Sequence, residues 1–223
     1  MTDSPATASE SPESSKAPEG ARNVYMGFWF VKIHHEFSTL MTNEKVVARQ
    51  EFLETYDQFP HRMPVALYGV DGFSAKADIM IWRVSPDLED FHVMSTRLRR
   101  SGFGRYLLPS RSYTGVVPAA DYPFEPRRKG SKDPGPIGNR RFLIVASVAG
   151  DSVAALRAAA AGGPGRLHLL DGRGLDREAW VAAYETDDPS SFSSLLSNSI
   201  PGRAPAAIAC VRKEAHDLIE SAG

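Results

Sequence analysis

Cysteine is nearly absent from this sequence: Cys210 is the one thiol among 223 residues. A single cysteine excludes an internal disulfide framework and favours a reducing compartment, which predicts a cytoplasmic protein. No apolar run reaches the length of a membrane-spanning helix, and a net charge of −1 gives no electrostatic reason to expect binding to nucleic acid or to a membrane. The GxGxxG, P-loop, GxSxG and CxxC motifs are absent, which argues against dinucleotide-, phosphate- or thiol-based enzymes.

The first 22 residues are rich in Ser, Pro, Ala and Glu and contain no apolar segment of the kind found in a secretory signal. Such a composition buries too little surface to offset the entropy of ordering, so we expect residues 1–22 to be a disordered tail. The whole chain has 42% hydrophobic and 24% charged residues, the ordinary balance of a globular protein. It is therefore long and apolar enough to form a proper core.

A strand–turn–helix pattern occurs twice in the rest of the chain. Residues 77–104 place an apolar strand before a Ser-Pro break and an amphipathic helix, and residues 178–200 repeat this order around an Asp-Pro break. With the flanking periodic segments, the repeat predicts two βαββαβ units, over residues 23–117 and 140–214. Residues 118–139 are predicted to be a basic linker rich in Pro and Gly, and residues 215–223 a C-terminal tail.

Two tandem units of this kind predict an α+β fold. Ferredoxin-like βαββαβ units in tandem tend to pair their sheets into one closed or nearly closed barrel, with the helices outside. Any cavity would then lie inside the barrel or between a sheet and its helices. We therefore expect a small-molecule ligand in the barrel cavity, and neither a nucleic acid nor a membrane as a partner.

The residues of both units resemble the chlorite dismutase family, which includes the coproheme decarboxylases of heme biosynthesis. The matching residues are Ala77-Asp78, Trp82, Ser85, Asp87-Leu88, Leu98, 104–107 and Ser112-Tyr113 in the first unit, and 174–176, 184–188, Phe192 and Leu195 in the second. The resemblance implies the dimeric α+β barrel fold and a homo-oligomer. In active members it also implies a heme or coproheme in the C-terminal unit.

The family's proximal histidine lies on the helix before the strand that begins here at Arg166. That helix reads SVAALRAAAA, so the resemblance implies an altered or degenerate heme pocket, because heme iron needs an imidazole, thiolate or phenolate ligand. Arg166 lies nearest to the place of the distal arginine of active dismutases. Tyr122, which precedes Pro123, occupies a place comparable to the redox-active tyrosine of the decarboxylases. Both are therefore candidate catalytic residues.

His168 is the candidate that the residues themselves favour in the second unit. Strand alternation in the segment RLHLL places Arg166, His168 and Leu170 on one face. His168 is interpreted as a substitute iron ligand, a general base or a buried side chain with satisfied hydrogen bonds. With Arg166 it forms the candidate cofactor-binding pair, and it is the candidate metal ligand if heme is bound. His34, near the end of the first strand, is a second candidate base.

Three functions are compatible with these observations. The first is an oxidoreductase of the heme family (a dismutase, peroxidase or decarboxylase) with heme or coproheme in an altered pocket around Arg166 and His168. The second is a heme-free enzyme that uses the barrel cavity as cofactor-free monooxygenases do, with His168 or His34 as its base. The third is a non-catalytic member that binds or assembles with a partner. The fold does not choose among them, because function depends on the site.

Overall fold

A computed structural model describes residues 23–122, 136–200 and 205–222 of the chain. The predicted disordered tail, residues 1–22, lies outside this part of the chain, as does most of the predicted linker (residues 123–135). The described residues form eight strands and six α-helices. Two copies of a βαββαβ unit account for all the strands, and two short helices are added to them.

The first half of the chain contains one βαββαβ unit. Its strands are β1 (Val24–Ile33), β2 (Val65–Gly69), β3 (Ile79–Ser85) and β4 (Leu107–Val117). Its helices are α1 (Glu36–Thr39), α2 (Thr42–Tyr56) and α3 (Leu88–Arg100). The short α1 follows β1, α2 leads into β2, and α3 connects β3 to β4. Phe91, Met94 and Leu98 are buried along one face of α3, which confirms the apolar stripe predicted there.

The second half repeats this element order. Its strands are β5 (Phe142–Ser147), β6 (Arg166–Asp171), β7 (Trp180–Thr186) and β8 (Ala207–Lys213). Its helices are α4 (Val153–Ala160), α5 (Ser190–Ser199) and α6 (Ala215–Ser221). None of the described helices is both long and apolar enough to cross a membrane.

The eight strands form one closed antiparallel barrel in the order β1-β3-β2-β8-β5-β7-β6-β4. Within each half, the first strand lies between the third and the fourth, as in a ferredoxin-like unit. The halves meet where β2 pairs with β8 and where β4 pairs with β6, the latter through the single pair Val116 and Asp171. The predicted fold class, an α+β protein of two ferredoxin-like units in a dimeric α+β barrel, is confirmed.

The barrel wall separates three apolar cores. Its interior receives side chains from all eight strands, among them Phe28, Trp82 and Tyr113. A second core lies between the strands of the first half and helices α2, α3 and α6, and a third lies between the strands of the second half and helices α4 and α5. Successive strand residues therefore alternate between the interior and a helix layer, as the period of a strand requires.

The end of the chain differs from the predicted C-terminal tail. Residues Ala215–Ser221 form α6, and Leu218 and Ile219 are buried in the core of the first half. A helix this short is marginal on its own, so its stability comes from burying these two side chains. The segment belongs to the second half in sequence but packs on the first half.

Candidate functional site

Strand β6 places the predicted site in the barrel wall. His168 and Leu170 face the interior and Arg166 lies on the same side, as strand alternation predicted, whereas the two leucines between them face the helix layer. His168 is 1% exposed, and its ring packs nearly perpendicular to that of Trp82 with 4.9 Å between the ring centroids. The imidazole is therefore removed from water and held by an aromatic neighbour.

Both ring nitrogens of His168 have hydrogen-bond partners. Nδ1 contacts the hydroxyl of Tyr122, and Nε2 lies 3.1 Å from Oε2 of Glu185. A carboxylate only accepts hydrogen bonds, so Nε2 carries the ring hydrogen and Nδ1 accepts from the Tyr122 hydroxyl. Tyr122, His168 and Glu185 thus form a continuous hydrogen-bonded series, the buried triad, in which no residue is more than 4% exposed.

Burial determines the protonation of the buried triad. Desolvation lowers the pKa of His168 below its usual value of 6.5, although the hydrogen bond and charge of Glu185 oppose the shift. Desolvation also raises the pKa of Tyr122, although the Arg166 guanidinium opposes it. At neutral pH the phenolic hydrogen therefore stays on Tyr122 and His168 is neutral.

The second carboxylate oxygen of Glu185 is held by the backbone of a tight turn. Its Oε1 accepts hydrogen bonds from the backbone N–H groups of Gly138 and Asn139, at 2.8 and 3.0 Å. Gly138 has a φ of +77°, and a Cβ on it would lie 2.8 Å from the Cβ of Ala66. Only glycine suits this position, where two adjacent amides point at one oxygen. The turn therefore fixes the carboxylate that orients His168.

Arg166 holds the segment that carries Tyr122. Its Nη2 donates to the carbonyl of Asp121 and its Nη1 to the carbonyl of Pro136, each at 3.0 Å. Its guanidinium carbon lies 5.6 Å from the centroid of the Tyr122 ring. The structure therefore brings the three predicted site residues, Tyr122, Arg166 and His168, into one cluster. Within it, the Arg166 guanidinium binds backbone carbonyls and the aromatic face.

A pocket of about 510 Å³ lies beside this cluster, a volume in the range of small-molecule sites. Its wall combines Tyr122, Arg166 and His168 with Arg157 and Ala160 of α4. We call it the β6 pocket. β4 and β6 are paired at one position only, so the rest of β6 is open to the segment that follows β4. A small molecule in the β6 pocket would contact the Tyr122 end of the buried triad.

The donors around the β6 pocket do not suit a heme iron. The part of α4 that lines it presents Arg157 and Ala160, followed by Ala161, and none of these side chains is a heme ligand. His168 uses both of its nitrogens in the buried triad, and Tyr122 gives its hydroxyl hydrogen to His168. Binding iron would require one of these residues to give up its buried partner.

The layer between the strands and helices of the second half is equally unsuited to heme. Nine buried side chains form its core, and Tyr184 is the one among them with a heteroatom. The Tyr184 ring packs on Phe192, with 5.7 Å between centroids, and on Gly165, where a Cβ would lie 2.3 Å from Cζ of the ring. In the described part of this layer and of the β6 pocket, no imidazole or thiolate is free to bind iron.

The other residues singled out from the sequence lie elsewhere. His34 stacks on His35, with 4.4 Å between ring centroids, and lines a separate pocket with Leu218 of α6. In the ranges that the structure describes, no group of three or more His, Cys, Asp or Glu side chains is arranged to hold a metal ion. Cys210 is fully buried in the barrel interior, and burial raises the pKa of its thiol. A fully buried thiol with a raised pKa is unreactive, so Cys210 is a structural residue of the core.

Sequence reasoning missed Glu185. It lies within the YETDD segment, which was recognised as a family feature without a chemical role. β6 and β7 are paired so that Arg166 is opposite Glu185 and His168 is opposite Ala183, which makes Glu185 a diagonal neighbour of His168 on the interior face. The alternation of β7 predicts that face, but the register that brings the two side chains together is a property of the folded sheet.

Because His168 is neutral in the folded protein, we expect the free energy of unfolding to fall as the pH falls. Its pKa is below 6.5 in the folded protein, so below about pH 6.5 the unfolded chain takes up a proton that the folded chain does not. This loss amounts to at most about 1.4 kcal/mol per pH unit and stops once the pH reaches the folded-state pKa. Urea denaturation at several pH values between about 5 and 8 measures it. His168→Gln should be less stable but should show a shallower slope, and identical slopes would contradict the assignment.

Comparisons with known proteins show which proteins share this architecture. A sequence model of the family described as chlorite dismutase matches residues 44–147. The fold is similar to that of a mutant chlorite dismutase from Candidatus Nitrospira defluvii, with a TM-score of 0.70 and 19% identity over 88% of this chain and 94% of that chain. The imidazole complex of chlorite dismutase from the same organism is also similar, with a TM-score of 0.69 and 19% identity over 90% of this chain and 95% of that chain.

A third similar structure is that of a protein from Thermus thermophilus, described as a novel heme-binding protein. It has a TM-score of 0.68 and 16% identity, over 91% of this chain and 97% of that chain. At such identities the structural likeness establishes the fold, and the chemistry of the site has to be argued from the residues of this chain.

Proposed function

We propose that this chlorite dismutase-like family member is an enzyme that acts on a small molecule in the β6 pocket by proton transfer, without heme. Tyr122 takes an acidic proton from the bound molecule and passes its own phenolic proton to Nδ1 of His168. Glu185 stabilises the imidazolium that results. The reaction class is general-base catalysis, the removal of a C–H or O–H proton from a small organic substrate.

The observation that carries the proposal is the hydrogen bonding of His168. Its Nδ1 accepts from a hydroxyl that borders a pocket, and its Nε2–H points at a carboxylate fixed by two backbone amides. This is the arrangement in which a histidine acts as a base for a hydroxyl group while an acidic residue holds the correct tautomer. A purely structural histidine needs two partners, but it does not need one of them to border a pocket.

The charges of the β6 pocket favour the product of such a step. Arg157 and Arg166 line it, and Asp121 is the one acidic residue among the described residues of its wall. Removing a proton from the substrate leaves an anion, which a site with an excess of positive charge stabilises. Arg166 also orients Tyr122, because its guanidinium lies against the Tyr122 ring.

The hypothesis of an oxidoreductase with an altered heme pocket is less well supported by these contacts. It requires His168 to exchange Tyr122 or Glu185 for iron, which would leave a buried hydroxyl or carboxylate without its partner. In a non-catalytic binding protein, the tautomer of His168 would have no effect on function. The homo-oligomer expected from the family resemblance stays a prediction.

A titration with hemin and with coproheme tests the heme-free part of the proposal. The purified full chain should show no saturable, stoichiometric shift of the Soret band, because no described donor around the β6 pocket is free to bind the iron. Any weak spectral change should be the same for the wild-type protein and for His168→Gln, since it would come from porphyrin adsorbed to the surface.

The titration contradicts the proposal if it shows one equivalent of bound heme with a shifted Soret band. Loss of that shift in His168→Gln would identify His168 as the iron ligand. Loss of the shift in Tyr122→Phe would identify a phenolate ligand instead. Either result would support the hypothesis of a heme-dependent enzyme.

A further inference from the structure

A second pocket, of about 530 Å³, lies at a mouth of the barrel and shares no lining residue with the β6 pocket. We propose that this barrel-mouth pocket binds a small organic anion with an aromatic or apolar body. The inference concerns a second site, and it stands whether or not the β6 pocket has the activity proposed above. It rests on an apolar floor that continues into the barrel interior and on a rim with unpaired positive charge.

The floor of the barrel-mouth pocket is apolar and aromatic. Phe30 and Tyr113 meet edge to face there, with 6.0 Å between ring centroids, and both belong to the interior core. Ala77 and Ile208 complete this surface from neighbouring parts of the barrel. Phe30 and Tyr113 are almost fully buried, at 0% and 1% exposed, and both border the opening. A planar apolar group entering the mouth would continue the packing of these two rings.

The acidic residues of the rim are already committed to partners in the protein. Asp176 accepts backbone hydrogen bonds on both oxygens, from Thr114 at 2.7 Å and from Glu178 at 3.2 Å. The Glu178 carboxylate pairs with Arg111 at 3.2 Å. The guanidinium carbon of Arg111 lies 4.5 Å from the centroid of the Tyr113 ring, which places this cation over the floor. The carboxylates therefore serve to hold the rim together.

Two further cations of the rim have no such partner. Lys76 and Arg177 line the pocket, and neither takes part in an ion pair among the described residues. They come from two different turns, between β2 and β3 and between β6 and β7, so they approach the opening from separate parts of the barrel. An anionic group bound at the rim would receive charge-assisted hydrogen bonds from both, while the body of the ligand lies on the floor.

The same two turns carry exposed apolar side chains. Phe73 is 53% exposed and precedes Ser74 of the pocket, and Leu175 is 41% exposed and precedes Asp176. Neither side chain is among the residues that line the pocket, and each is a single exposed apolar group beside its rim. An amphipathic organic anion that reaches past the rim would contact them, whereas inorganic phosphate or sulfate would not.

A pair of fluorescent probes tests the proposal. The aromatic sulfonate 8-anilinonaphthalene-1-sulfonate should bind the full chain saturably at one site, with an affinity that falls as salt is added. The double variant Lys76→Gln/Arg177→Gln should bind it about tenfold more weakly. Both side chains are exposed, so this variant should unfold at the wild-type denaturant concentration. The neutral analogue N-phenyl-1-naphthylamine should bind weakly and equally to both proteins.

The matched control removes a cation from the other pocket. Arg157→Gln should leave sulfonate binding unchanged, because Arg157 lines the β6 pocket and not the barrel-mouth pocket. The proposal is overturned by any of three results: no saturable binding, equal affinity in the wild-type protein and the double variant, or weakening by Arg157→Gln. Equally tight binding of the neutral analogue would also overturn it, because recognition would then depend on apolar contact alone.

Discussion

Glu185→Ala is expected to lower the free energy of unfolding by about 3–5 kcal/mol. The substitution removes the acceptor of two buried donors, the backbone N–H of Gly138 and Nε2–H of His168, and one hydrogen bond of the part-buried backbone N–H of Asn139. Each unsatisfied buried donor costs about 1–3 kcal/mol, and relaxation of the turn recovers part of the sum. Urea denaturation followed by tryptophan fluorescence measures the loss. A change below about 1 kcal/mol would mean that the carboxylate does not hold the turn.

Glu185→Gln is the matched variant, and it separates structure from proton transfer. The glutamine amide oxygen can still accept from Gly138 and Asn139, which leaves the NH₂ group facing Nε2 of His168. That geometry forces the ring hydrogen onto Nδ1, so His168 donates to Tyr122 and can no longer accept its proton. We expect a stability loss of about 1 kcal/mol and a reversed tautomer. An unchanged tautomer would contradict the hydrogen-bond assignment of the buried triad.

Tyr122→Phe is expected to abolish general-base catalysis in the β6 pocket. A generic probe is 5-nitrobenzisoxazole, whose C–H proton is removed as its N–O bond breaks to give the coloured 2-cyano-4-nitrophenolate. In the wild-type protein, Tyr122 would take the C–H proton and pass its own to His168. Positioned bases contribute about a hundredfold or more to such steps, so the variant should be slower by about that factor.

Two controls make this test specific. Glu185→Gln should slow the probe reaction by a similar factor, because the reversed tautomer leaves Tyr122 without a base. His34→Gln should leave the rate unchanged, because His34 lines a different pocket. Equal rates in the wild-type protein and Tyr122→Phe would contradict the assignment of Tyr122. A loss of rate in His34→Gln would instead favour His34, the alternative base considered from the sequence.

The architecture could be predicted largely from local patterns. The repeated strand–turn–helix segments indicated two βαββαβ units, and their fold followed from how such units bury their apolar faces. The closure of the barrel through β4 and β6 depends on a long-range contact that leaves little trace in the sequence. Gly115 is one such trace, because a Cβ there would lie 2.9 Å from Leu170 Cβ and from the Asp171 carbonyl oxygen. The sequence did not predict helix α6, because two buried apolar residues are too few to show a helical period.

The site could be predicted in part, for an identifiable reason. Alternation along β6 placed Arg166 and His168 on one face, and the structure brings Tyr122, a candidate from the family resemblance, next to them from a segment that is distant in sequence. Three features decided the chemistry and were not visible locally: the register of β6 on β7, the left-handed turn at Gly138, and the carbonyl ligands of Arg166. Each arises from tertiary contact, whereas sequence periodicity reports only which face a residue occupies.

The most direct test of the account is the protonation of His168 in the wild-type protein. Long-range ¹H–¹⁵N NMR of the imidazole nitrogens, assigned with His168→Gln, reports which nitrogen carries the hydrogen. The account predicts a neutral ring with its hydrogen on Nε2, and it predicts that more than half of the rings are neutral at pH 6.5, where an ordinary histidine is half protonated. An imidazolium at that pH, or a hydrogen on Nδ1, would contradict the buried triad as a proton-transfer site.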